Sequence, residues 1–241
     1  MLEQNDNIIN DSIKRIVNYN PNDKQINFLD QRFYSRNDKH FPSVTYILSF
    51  VPKNKIFIDW IKEKGEDSDT IAKVAADKGK QVHKAVEKLL RGEELNWIDK
   101  HGNATYSLEV WQMILRFADF WQVYKPKFIG AEIQVFSDRY EYAGSIDLVI
   151  EMDGELWLLD IKTTNYISPV YWYQTAAYKQ GWDECYDRKV NRLGILWLKA
   201  HTRGEDKSGK KIQGKNWQII ESPRNFEQDF QSFLLFYAVF K

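Results

Sequence analysis

The sequence predicts an α/β fold, on three observations. Residues 68–91 and 105–124 carry apolar side chains at helical spacing. From Phe128 to Lys162 the spacing becomes strand-like, broken about Arg139-Tyr140 and again by the turn dipeptide Asp153-Gly154. A helical stretch from Pro169 and a strand-like one from Val190 then follow, so the order reads helices, three strands, helix, strand.

The elements follow in order. Residues 1–40 are polar and Asn/Asp-rich, with a short apolar patch at Ile13 to Val17. They read as a weakly ordered arm with one small helix. Phe41-Pro-Ser-Val-Thr45 opens a single domain over 41–241. Its helical part spans 41–125, and its sheet and remaining helices 126–241. Thr45 to Phe50 and Ile56 to Lys62 read as short helices broken at Pro52. Ser68 or Asp69 can cap a long helix closed by Gly92, with Ile71, Val74, Val82, Val86 and Leu90 along it. Thr105 to Tyr124 is a second helix, and Phe128 to Phe136 a strand. Tyr142 to Met152 and Glu155 to Lys162 form a hairpin. Pro169 to Gly181 is a helix, and Val190 to Leu198 a strand. Lys207 to Lys215 is a Gly/Lys loop, Trp217 to Glu221 a strand that pairs back, and Phe226 to Phe240 a closing amphipathic helix.

The bulk properties bound the function classes. The 241 residues are 43% hydrophobic, enough for a sizeable core. Formal net charge is zero, which argues against a broadly basic nucleic-acid binder, although acids gathered at a metal site mask a basic groove in such a total. One cysteine, Cys185, excludes internal disulfides and any four-cysteine metal or iron–sulfur site within the chain. MLEQNDNIIN lacks the basic and apolar regions of a signal peptide, and no apolar run approaches a membrane span. The expectation is a soluble protein of the cytoplasm (of a host cell, for a viral protein).

The hairpin carries the chemistry. With Asp153 and Gly154 as its loop, Met152 faces Glu155, and the same register carries on to put Asp147 opposite Asp160. Side chains alternate along a strand, so Lys162 shares the face of Asp160. Asp is depleted in strands, and opposed like charges destabilise a sheet. A fold built only for stability has no use for this pair. A divalent cation removes the penalty, since Mg²⁺ takes one or two carboxylates with water and phosphate oxygens. Lys162 can orient or deprotonate a water, or stabilise phosphate charge. The bland alternative is a pair of solvated strand-end acids.

Other residues surround this motif. A turn about Arg139-Tyr140 brings Glu132 opposite Asp147; the alternative is a surface glutamate. His83 follows the mid-helix Gly79, which signals close backbone approach; it reads as a packed core histidine or as a ligand. Gln174 and Tyr178 share one helical face. Tyr171-Trp172-Tyr173 can stack on unpaired bases, with at least one expected in the core. Lys207, Lys210, Lys211 and Lys215 form a basic loop that contacts phosphate or is simply solvated. Gly204 to Lys210 fits G-x-x-x-x-G-K, but Lys211 replaces the hydroxyl residue and no helix follows, so no nucleotide is expected.

Taken together, Phe41-Pro-Ser-Val-Thr45, Gly79-x-x-x-His83, Glu132, Gly144-x-x-Asp147, Asp160-x-Lys162-Thr163 and Gln174-x-x-x-Tyr178 resemble the PD-(D/E)XK nuclease superfamily, in its RecB-like exonuclease branch. The resemblance covers residues 41 to about 200. It implies a restriction-endonuclease-like αβββαβ core, a mixed sheet flanked by helices. It also implies Mg²⁺ or Mn²⁺ held by His83, Asp147, Asp160 and the Ile161 carbonyl, with Lys162 catalytic and Gln174 and Tyr178 supporting site and DNA. Glu132 stays open between metal ligand and supporting residue. The implied activity is a DNA exonuclease working on ends of single-stranded or processed DNA in replication, repair or recombination. No helicase motif is present, so unwinding falls to a partner such as a helicase or recombination protein. The rival readings are an endonuclease of the same superfamily, a catalytically inactive DNA-binding subunit, and a structural α/β domain with accidental acids.

Overall fold

The computed structural model describes residues 24–28, 31–201, 203–205 and 207–241. Its first elements are strands: β1 (Lys24–Phe28), β2 (Gln31–Arg36) and β3 (Lys39–Pro42), in an antiparallel sheet. Residues 24–28 and 31–40 thus depart from the weakly ordered arm that their composition suggests. Their order comes from contacts made far along the chain. Tyr34 and Phe41 are buried against Phe136 and Ala143, and the buried Arg36 pairs with Asp138 and lies over the Phe136 ring. The small helix expected near Ile13 to Val17 lies outside the described residues.

Helices α1 (Val44–Leu48) and α2 (Lys55–Lys64) flank Pro52, and Ser43 and Asn54 cap them by accepting backbone N–H groups. Helix α3 (Asp67–Leu90) carries His83. Its N-cap is Glu66, without a side-chain cap bond, so neither Ser68 nor Asp69 caps it. Ser68 is buried within the first turn. Helix α4 (Leu108–Tyr124) starts at the Ser107 cap.

The central sheet follows: β4 (Lys127–Ser137), β5 (Tyr142–Met152) and β6 (Glu155–Lys162), then helix α5 (Val170–Cys185) and β7 (Arg192–Trp197). Helix α5 runs past Gly181 because Trp182 is fully buried and stacks on Tyr186. Strands β8 (Arg203–Glu205) and β9 (Lys211–Gln213) form a small hairpin, so the expected Gly/Lys loop over 207–215 contains a strand that pairs with residues before it. Strand β10 (Gln218–Ile220) pairs back on β7, and helix α6 (Phe226–Phe240) closes the chain. The sheet order is β10-β7-β6-β5-β4. Only β6 and β7 are parallel, joined by the α5 crossover, so the sheet is mixed and the fold is α/β.

Helices cover both faces. One core packs α1, α5 and α6 on Ile129, Val135, Tyr142, Ile146, Val149, Leu156 and Leu158. The other packs α3 and α4 on Leu148, Ile150, Met152, Leu159 and Ile161. Strand β5 therefore changes faces along its length. Tyr142 and Ile146 belong to the first core, whereas Leu148, Ile150 and Met152 belong to the second. A regular strand keeps residues two apart on one face. The switch falls at Asp147.

The hairpin register is the one that the sequence predicts. Asp153 and Gly154 have φ of +52° and +79°, as a type I′ turn requires. Pairing runs from Met152↔Glu155 to Leu148↔Leu159 and stops one step short of Asp147 and Asp160. On the other side, β4 pairs Ala131↔Leu148 and Ile133↔Ile146, leaving Glu132 and Asp147 at one level outside the ladder. Glu132 has φ of +50°, a left-handed conformation that disfavours a side chain.

Gly144 shows how tightly α5 is seated on β5. A Cβ there would lie 2.3 Å from Cε1 of the buried Tyr178. Gly144→Ala is expected to destabilise the protein by about 1–3 kcal/mol through overpacking, lowering the melting temperature by several degrees. In a Tyr178→Leu background the same substitution has a smaller effect, which a double-mutant cycle of thermal melts measures.

Candidate metal centre

Where the ladder opens, the Asp147 side chain takes over a strand's role. Its Oδ2 accepts the Ile161 N–H at 2.7 Å. The carbonyl of the same residue lies 3.0 Å from His83 Nε2. The Ile161 peptide thus ties the strand to the helix and leaves its own side chain in the core. Helix α3 comes this close because of Gly79, where a Cβ would stand 3.0 Å from Thr163 Oγ1.

Two groups of side chains meet here. In the first, His83 Nδ1 lies 3.5 Å from Asp147 Oδ1 and 4.0 Å from Glu132 Oε1. Ser145 donates to Glu132 Oε2 at 3.0 Å. One ligand atom from each of His83, Glu132 and Asp147 falls within 4.8 Å of the others. In the second, Lys162 Nζ is 2.7 Å from Asp160 Oδ2 and donates to Gln174 Oε1 at 3.3 Å. Gln174 Nε2 in turn donates to the Tyr178 hydroxyl at 2.8 Å. The ring of Tyr171 lies under the ammonium, 4.5 Å from Nζ to centroid.

All eight residues singled out in the sequence, His83, Glu132, Asp147, Asp160, Ile161, Lys162, Gln174 and Tyr178, meet in these two groups. Ser145 and Tyr171 complete the surroundings, and Tyr34 lies near enough to feel the charges of Glu132 and Asp147. Ser145 was legible as the residue two before Asp147 on one face of β5. Tyr34 carries no local signal, because its strand belongs to a segment whose composition reads as unstructured.

Asp160 is the least satisfied group. It is 1% exposed, its Oδ1 has no hydrogen-bond partner, and its Oδ2 has only the Lys162 ammonium at 2.7 Å. A buried carboxylate with free lone pairs is costly, and most buried polar groups avoid it. A divalent cation would supply a partner for such an oxygen; among the described residues the ligand atoms that lie together are those of His83, Glu132 and Asp147, a carboxylate and imidazole set compatible with a divalent cation.

The electrostatics agree. Burial, reinforced by the Asp147 charge, pushes the Asp160 carboxyl up to about 6 against the pull of Lys162. Burial opposes ionisation of Asp147 as well, but His83 and Lys162 outweigh it and hold its pKa below the usual range. Burial and Asp147 raise Glu132. For Lys162, burial is outweighed by Asp160 and Asp147, and its pKa rises. Burial depresses His83, yet the Asp147 charge and hydrogen bond bring it up to about 9. At neutral pH and without a metal, a proton on His83 thus compensates the acids.

No protein-family model matches the chain, and the curated proteins contain no match to it.

The His83 pKa rises from 6.5 in the free group to about 9 in the fold, so its ion pair stabilises fully below about pH 6.5 and is lost as pH rises through about 9. Thermal melts in EDTA should therefore show a falling melting temperature across that window. The fall should be smaller in His83→Gln.

Proposed function

We propose that this protein is a divalent-metal-dependent deoxyribonuclease, an exonuclease acting on DNA ends, with the restriction-endonuclease-like core of the PD-(D/E)XK superfamily. The observation that carries the reading is Asp160: a buried carboxylate whose Oδ2 meets only an ammonium, whose Oδ1 has no partner, and which feels the charge of a second acid, Asp147. A purely structural ion pair has no reason to keep such a group. The element order α4, β4, β5, β6, α5, β7 supports the αβββαβ assignment, as does the mixed sheet.

In this reading His83, Glu132, Asp147, Asp160 and the Ile161 carbonyl hold Mg²⁺ or Mn²⁺. Such an ion polarises a phosphoryl oxygen and lowers the pKa of a bound water. The chain's own groups do the rest. Lys162, kept cationic by Asp160 and Asp147, donates to the attacking water and balances charge building on the phosphate. Gln174 fixes the ammonium: Lys162 only donates and so takes the amide oxygen, which leaves the amide nitrogen to donate to the Tyr178 hydroxyl. Tyr178 is locked in turn by Gly144.

End-labelled single-stranded, duplex and circular DNA, incubated with Mg²⁺, Mn²⁺ or EDTA, test this. Linear DNA should shorten only with metal, and circles should survive. Lys162→Ala should slow cleavage by about 10²–10⁴. Asp160→Asn should lose both cleavage and Mn²⁺ binding followed by electron paramagnetic resonance. Attack on circles assigns an endonuclease instead. Absence of metal-dependent cleavage, or full activity in Lys162→Ala, overturns the mechanism.

A further inference from the structure

Beside Lys162 the surface opens into a cleft of about 330 Å³, at the low end of small-ligand sites. Tyr171 is the wall between the two. Its ring carries the Lys162 ammonium 4.5 Å from its centroid and also lines the cleft. The remaining walls include Phe57, Tyr166, Tyr173 and Pro169, with Lys53 among them. Tyr166 is 38% exposed, and Phe57 is backed by Trp60 in a stacked pair, so both rings are positioned without serving the main core.

Two features limit what can occupy it. The aromatic rings of Phe57, Tyr166, Tyr171, Tyr173 and Phe236 share the lining with aliphatic side chains, which offers a planar ring system both faces and edges to pack on. No acid lines it, while Lys53 stands on one side and Lys162 behind the other. An uncharged apolar ligand has no use for those cations. A planar ligand attached to phosphate uses both features.

The geometry points to a stacking subsite for one unpaired nucleobase, on the strand whose phosphate lies at Lys162. This rests on the nuclease reading above and narrows its substrate to strands with unpaired bases at the cleaved position. A paired base is held in its own stack and cannot enter. Tyr166 and Phe57 are then specificity-determining residues, with Lys53 contacting a neighbouring phosphate.

The test compares a short oligothymidylate with the same backbone bearing abasic units. Binding is measured by fluorescence anisotropy in EDTA, and cleavage with Mn²⁺. Wild type should prefer the base-bearing strand about tenfold, in line with one stacked base. Tyr166→Ala and Phe57→Ala should each erase most of that preference, whereas Tyr166→Phe keeps it. The readout is a ratio, so a general loss of folded protein does not imitate it. Equal binding of the two strands by wild type, a preference that survives both truncations, or equal affinity for blunt duplex overturns the subsite. If cleavage with Mn²⁺ persists in those cases, the nuclease reading stands without it. If the preference in binding is seen but nothing is cleaved, the subsite stands and the nuclease reading falls.

Discussion

The site depends on one hydrogen bond, from the Ile161 N–H to the Asp147 side chain. In an antiparallel pair that donor ordinarily meets a backbone carbonyl. Here a carboxylate takes the place of the carbonyl, and the strands end their pairing at Leu148↔Leu159 without leaving the amide orphaned. The opening lets β5 change faces at Asp147. Its even-numbered side chains pack under α5 as far as Ile146 and under α3 and α4 from Leu148 on, so functional groups from both layers meet at one point in the sheet. His83 arrives from one layer, and Gln174 and Tyr178 from the other.

Stability and chemistry are opposed at this point. Asp160 with a partnerless Oδ1, Glu132 with a left-handed backbone and a protonated His83 are each unfavourable or compensating features. They cluster within a few residues of the ladder's end, while the rest of the sheet is conventionally apolar. Such local departures from folding rules concentrate where function needs them.

Much of this was legible in the residues. Asp-Gly between alternating apolar runs sets a two-residue turn, and the turn sets the register, so Asp147 and Asp160 follow arithmetically. The register of Glu132 against Asp147 was legible too, through the Arg139-Tyr140 turn. Its positive φ was not, because it comes from leaving the ladder rather than from glutamate's preferences. The strands around Tyr34 escaped for a related reason: their apolar residues are sparse, and they bury against Phe136, about a hundred positions away. The helix cap at Glu66 carries no capping chemistry and so leaves no sequence signal. The Tyr171 wall depends on how α5 meets the loop before it, which periodicity does not encode.

Helix α3 is seated by its second half: Val82, Ala85 and Val86 are buried, whereas Ile71 and Val74 stay in water. Its reach into the cluster is the single imidazole of His83. Occupancy of the cluster and seating of the helix are therefore linked equilibria, and each must favour the other by the same factor. A cation captured at the sheet would be felt as slower amide exchange along α3. Conversely, a protein that grips the exposed Ile71 and Val74 of α3 would tune metal affinity from a distance, without touching a ligand.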